Sequence, residues 1–86
     1  MSLNKFNEAA ERVKIFKSTP PDETLLHFYG LYKQATIGNN NNSRPSFLDI
    51  KGCAKWNAWN SYNGLTKEQA MEYYINLVNE MVNAGW

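Results

Sequence analysis

The chain has only one cysteine and one histidine. Cys53 alone cannot close an internal disulfide, so nothing asks for an oxidising compartment. Cys/His zinc spacing and a glycine-rich phosphate loop are both missing. His27 stands beside Leu26 and Phe28 and reads as a structural or solvated helix histidine. Cys53 has Lys51 and Lys55 near it but no histidine partner, which suits a small half-buried thiol. No stretch approaches the roughly 20 apolar residues of a membrane span, so no stable membrane insertion is expected. No run of alternating β-branched residues bounded by turns predicts a sheet. A net charge of +1 argues against a general nucleic-acid binder. The acids are scattered over helix starts and solvent faces, and without a nucleophile–base pair, metal or cofactor site an enzyme is not expected. The chain reads as a binder.

What is present is a large aromatic supply in a short chain. Eighty-six residues allow one domain, 1–86, and three Trp, five Tyr and four Phe give its small core much area to bury. The charge is unevenly spread. From Tyr29 to Asn60 the basic residues are Lys33, Arg44, Lys51 and Lys55, and the only acid is Asp49. Such a basic middle suits a compact anion, or is a solvated face.

Periodicity predicts four helices. Leu3, Phe6, Ala10, Val13 and Phe16 make one apolar stripe over residues 3–17, with Ser2 or Asn4 as cap and Lys14 at the stripe's edge. The break at Ser18-Thr-Pro-Pro-Asp22 starts a second helix near Pro21, with Thr19 and Asp22 spaced as a short capping box. Its stripe is Leu25, Phe28, Tyr29, Tyr32 and Ala35, and Gly38 is its stop. The connection from Asn39 to Lys51 is long for so small a domain. Its asparagine run reads as drift in a tolerant loop, with Arg44 as anchor and Phe47 and Leu48 tucked onto the core. A third helix covers 52–62, carrying Trp56 and Trp59 on one face and Lys51 and Lys55 as a ridge beside it. The fourth runs over about 66–84 behind a Thr66–Gln69 capping box, with Ala70, Tyr74, Leu77 and Met81 as its stripe and Ile75, Val78 and Val82 widening it. The expected fold is all-α, a small four-helix bundle with one long loop between helices 2 and 3.

Tyr29 and Tyr32 lie three residues apart on one helical face, with Lys33 at its edge. Two readings fit. Rings beside a cation suit a ligand that is part ring and part anion, such as a nucleotide. Equally, the tyrosines finish a core and the lysine is solvated.

The sequence resembles the acyl-CoA-binding protein family. The matching residues are Tyr29-x-x-Tyr32-Lys33-Gln34-Ala35-Thr36-x-Gly38, Arg44-Pro45, and Lys51-Gly52-x-Ala54-Lys55-Trp56-x-Ala58-Trp59. Ala70-Met71 and Tyr74-Ile75 continue the match, and Phe6, Ala9-Ala10, Val13 and Lys14 resemble the family's first helix. Cys53 stands where the family often has a lysine, and Asn57 where it often has an aspartate. The resemblance implies an up-down-down-up bundle that binds long-chain fatty acyl-CoA esters and carries them in the cytoplasm without catalysis. It implies that Tyr32 stacks on adenine and that Tyr29, Lys33 and Lys55 hold the ribose 3′-phosphate. Lys14, Lys51 and Tyr74 would supply further head-group contacts, with Gly30 and Leu31 inside the same binding segment. Ala10, Leu25 and Leu26 would lie near the acyl-tail groove. Gln34-Ala35-Thr36 would close the helix without touching ligand. A monomer with transient contacts to membranes or acyl-CoA-using enzymes follows from the same likeness, and the alternative is a helical protein-interaction module with an aromatic groove.

Overall fold

The computed structural model describes residues 2–86. Their regular elements are four helices: α1 (Ser2–Lys14), α2 (Asp22–Thr36), α3 (Ile50–Asn60) and α4 (Lys67–Asn83). There is no strand among the described residues.

The helix ends follow local chemistry. α1 stops at Lys14, three residues earlier than the stripe suggests. Its last turn tightens through bonds from Ile15 N to Arg12 O and Phe16 N to Val13 O, just before the diproline. Phe16 still reaches the core from outside the helix, 6.3 Å from the Phe28 ring. Asn4 lies inside α1 and is no cap, and the side chain of Ser2, the other expected cap, is not among those the structure describes. For α2 the expected Thr19–Asp22 box does not form. Pro21 occupies the N-cap, and it has no side-chain acceptor to offer. Asp22 and Glu23 in the first turn face the positive end of the helix dipole instead. At the other end Ile37 N and Gly38 N both bond to Lys33 O, with Gly38 at φ +104°, a left-handed conformation that glycine takes without steric cost. α3 begins at Ile50, two residues before the expected start, because the Asp49 side chain caps it by accepting from Gly52 N at 2.9 Å. α4 carries the predicted capping box: Gln69 N donates to Thr66 Oγ1 at 3.0 Å and Thr66 N to Gln69 Oε1 at 2.9 Å.

α2 and α4 form the centre, with α3 against α2 and α1 against α4. Contacts along the helices fix their directions. Phe6 meets Tyr74 and Phe16 meets Trp86, so α1 and α4 run the same way. Phe28 meets Tyr74 while Gln34 reaches Leu65, so α2 runs against α4. Tyr29 lies by Lys55 and Lys33 by Trp59, so α3 runs with α2. The result is the up-down-down-up order. Phe6, Phe28, Leu31, Ala35, Ala70, Tyr74 and Val78 are its buried core. Leu77 and Met81, expected at the centre of the α4 stripe, are only partly buried, and Val78, expected at its edge, is the buried one. The molecule is a slab of 37 × 28 × 15 Å, little thicker than one helix with its side chains.

The α2–α3 connection is an ordered strap, contrary to the drift expected of the asparagine run. Asn39 Oδ1 accepts from Gln34 Nε2 and from Gly64 N, both at 2.9 Å. Asn40 is buried, donates its backbone N–H to Asn63 Oδ1 at 2.8 Å and receives Asn42 N on its own Oδ1 at 3.0 Å. Both tryptophans fasten the strap: Trp59 Nε1 donates to Gly38 O at 2.8 Å and Trp56 Nε1 to Asn42 O at 2.9 Å. Arg44 is an anchor as expected, its guanidinium 5.6 Å from the centre of the Trp56 ring. Phe47 and Leu48 are not tucked in. They are 86% and 77% exposed, because a tight turn puts both at its tip.

Candidate functional site

Tyr29 is the centre of a cationic cluster. Its ring has Lys33 Nζ at 5.8 Å and Lys55 Nζ at 5.6 Å from the centroid, one ammonium from α2 and one from α3. Lys33 Nζ is also 5.5 Å from the Trp59 ring. These cation–ring contacts hold both ammoniums close to the Tyr29 ring without neutralising them. Among the described residues the one ion pair is Lys14–Glu11, so Lys33, Lys51 and Lys55 carry no bound carboxylate. Two neighbouring uncompensated ammoniums repel each other, and a multiply charged anion between them removes that cost.

Tyr32 is 45% exposed and leans the other way. Its ring stacks on Phe6 at 5.5 Å and lies 6.2 Å from Tyr74. The two tyrosines thus share a face wider than a single stripe, Tyr29 turned to α3 and Tyr32 to α1 and α4. A flat ring with one side supported and the other in solvent is a platform for a heterocycle. Lys14 stands exposed near it, hydrogen-bonded to Glu11 at 2.8 Å; that hydrogen bond, then the Glu11 charge, raise its pKa. Tyr74 is buried beneath, and burial pushes its phenol up to about 12. It stays neutral at any physiological pH.

An open cleft of about 440 Å³ runs beside Tyr29 between α2 and α3. Leu25, Leu26 and Ala54 give it apolar walls, and Lys51 and Lys55, with Asp22 among them, give it a charged rim of net positive sign. Its size falls within the range of small-molecule sites. The structure therefore brings together Tyr29, Lys33, Lys51, Lys55, Leu25 and Leu26. Tyr32, Tyr74 and Lys14 form the adjoining platform. Ala10 packs on the core from α1 and Leu31 is buried inside it, so neither borders this cleft. Gly30 is buried where α2 crosses α3, and its lack of a side chain is what lets the helices approach. Sequence reasoning left out Ala54 and Trp59, a cleft wall and a seat for Lys33. The spacing Lys51-x-x-Ala54-Lys55-x-x-x-Trp59 held the signal, one α3 face at steps of three and four. His27 lies apart: its Nδ1 is 2.6 Å from the Tyr62 hydroxyl, in a separate depression with Tyr73 and Leu77.

A basic, ring-bearing platform that runs into an apolar cleft defines a binding protein for a ligand with an anionic head and an apolar tail. The family comparison agrees. The chain belongs to the acyl-CoA-binding protein family, whose sequence model, described as "Acyl CoA binding protein", matches residues 3–78. A relative from a Hypsibius species is 54% identical over 78 residues, which are 91% of this chain and 88% of the relative. The acyl-CoA-binding protein homolog of Drosophila melanogaster is 44% identical over 82 residues, 95% of each chain. The crystal structure of Oryza sativa acyl-CoA-binding protein 2 superposes with a TM-score of 0.92 at 38% identity, covering 96% of this chain and 90% of that one.

Proposed function

We propose that this protein binds long-chain fatty acyl-CoA esters and serves as their carrier and reservoir in the cytoplasm, as a monomer and without catalysis. The observation that carries this reading is the Tyr29 ring bracketed by Lys33 and Lys55 at the end of an apolar cleft. In this assignment Lys33, Lys55 and Tyr29 take the ribose 3′-phosphate, and Tyr32 stacks on the adenine. Lys14, Lys51 and Tyr74 complete the head-group wall, and the tail lies along Leu25 and Leu26. An apolar peptide helix would have no use for three uncompensated lysines, which sets the interaction-module reading aside.

The energetics divide the labour. A charge-assisted phosphate contact contributes about 1.5–3 kcal/mol. Each buried CH₂ of the tail contributes ~0.8 kcal/mol before ordering costs, so a long tail outweighs any single lysine. The head group sets specificity and the tail sets affinity. Parallel calorimetric titrations with palmitoyl-CoA, free CoA and free palmitate test the reading. Palmitoyl-CoA binds far more tightly than either part alone. Equal dissociation constants for palmitoyl-CoA and CoA would overturn the tail assignment, and equal constants for palmitoyl-CoA and palmitate the head-group assignment.

A further inference from the structure

We propose that Asn63 is a self-modification site: its side-chain amide is lost to the backbone nitrogen of Gly64, and the aspartyl or isoaspartyl product loosens the strap between α2 and α3. Asn63-Gly64 is the one Asn-Gly pair in the chain, and both residues are exposed in the turn between α3 and α4. Gly64 has φ +99°, and beyond its chain neighbours nothing lies within 4 Å of where a Cβ would stand. Its nitrogen is therefore sterically open. The fold prepares the electrophile. Asn40 N donates to Asn63 Oδ1 at 2.8 Å, and this is the oxygen that gathers negative charge when Cγ is attacked. Asn40 is itself buried and tied to Trp56 O through Nδ2 at 3.3 Å, so the donor is held in place. The nucleophile is restrained instead. Gly64 N donates to Asn39 Oδ1 at 2.9 Å and has to leave it before it attacks.

The step balances with water and hydroxide alone. Hydroxide takes the proton from Gly64 N, the nitrogen bonds to Cγ of Asn63, and the Cγ–Nδ2 bond breaks. Nδ2 leaves as ammonia after taking a proton from water, which restores the hydroxide. Water then opens the cyclic imide. Attack at the side-chain carbonyl gives aspartate, and attack at the main-chain carbonyl gives isoaspartate, in which the chain runs through the side-chain carbon. Nothing is oxidised or reduced. Both products lose the Nδ2 donor that now serves Asn60 Oδ1 at 3.1 Å. Isoaspartate also lengthens the backbone by one carbon before Gly64 and draws Gly64 N away from Asn39. The disturbance reaches the core there, because the fully buried Gln34 donates its Nε2 to the same Asn39 oxygen. This chemistry is independent of what the cleft binds.

Incubation of the folded protein at mildly alkaline pH, followed by peptide mass mapping, tests the site. Asn63 loses its amide ahead of Asn42 and Asn60, each of which precedes a serine. Asn39→Ala frees Gly64 N and speeds the loss about tenfold, as expected for releasing one hydrogen bond. Asn39→Asp keeps an acceptor oxygen and reacts no faster than wild type. Circular dichroism shows both variants helical at the incubation pH. In concentrated urea all three chains lose the Asn63 amide at one rate, which assigns the difference in buffer to the fold. The isoaspartyl fraction of wild type, separated by ion exchange, unfolds at a lower urea concentration than the unreacted protein. Earlier loss at any other asparagine of the folded wild type overturns the proposal. So do equal rates for wild type and Asn39→Ala in buffer, or an isoaspartyl fraction as stable as the unreacted protein.

Discussion

Gly30 on α2 lies so close to Ala58 on α3 that a methyl group on Gly30 would stand 2.6 Å from the Ala58 carbonyl oxygen. The obstacle is helix backbone, which cannot swing aside as a side chain does. This contact sets the gap across which Lys33 and Lys55 converge on Tyr29. Gly30→Ala pushes α3 outward and costs about 1–3 kcal/mol of stability, read from the urea midpoint. It also weakens acyl-CoA binding, although no ligand contact has been removed. A variant as stable as wild type would show that the helices separate freely.

Lys33→Ala and Lys55→Ala each weaken palmitoyl-CoA binding about tenfold or more, by removing one charge-assisted phosphate contact. Both side chains are solvent-accessible and belong to no ion pair among the described residues, so stability changes little. The double variant is informative. Removing one ammonium also relieves its repulsion with the other, so the two losses do not simply add. Calorimetry that finds both single variants at wild-type affinity removes the phosphate site from Tyr29.

Asn39→Ala destabilises by roughly 1–3 kcal/mol, a large effect for a loop residue. The reason lies underneath. Gln34 is fully buried, its Oε1 already has no hydrogen-bond partner, and its Nε2 depends on Asn39 Oδ1 and Leu65 O. Asn39→Asp keeps an acceptor oxygen and recovers most of the loss. Chemical denaturation of both variants checks this, and equal losses would remove the hydrogen bond as the cause.

Tyr74 makes alkaline stability a test of its burial. Its folded pKa, about 12, lies above the ordinary 10.0 because burial disfavours the phenolate. The unfolded chain therefore releases this proton first, and the stabilisation present below pH 10 is lost as pH rises toward 12. Tyr74→Phe flattens the stability profile in that window, leaving a smaller slope from Tyr62, whose phenol burial also raises. An unchanged profile would mean that Tyr74 is as well solvated in the fold as out of it.

Most of the helix pattern and the cationic cluster are legible in the residues themselves, because both depend on spacing along a single helix. Tyr29 to Lys33 and Lys51 to Lys55 are one turn apart, and Thr66 with Gln69 is a local capping rule. Sequence and structure part where distant segments meet. Asn39 and Asn40 read as filler because their partners, Gly64 and Asn63, lie beyond α3 in the chain. Phe47 and Leu48 are expected inside because they are apolar, but the Ser46–Asp49 hydrogen bond turns them out. Asp49 as the α3 cap is a local signal too, though the glycine after Lys51 draws the expected start to Gly52. The wider spread of Tyr29 and Tyr32 depends on which neighbouring helix each ring meets, which no periodicity states.

The placement of α1 against α4 has a consequence for the order in which the molecule is made. Phe6 leaves the ribosome long before its edge-on ring partner, Tyr74. A 13-residue helix has little stability alone, so α1 stays an exposed amphipathic segment until α4 emerges. The Phe6–Tyr74–Phe28 cluster therefore forms only after nearly all of these residues have been synthesised. Closing that contact spans most of the chain, which makes it a slow entropic step for an otherwise local helical fold.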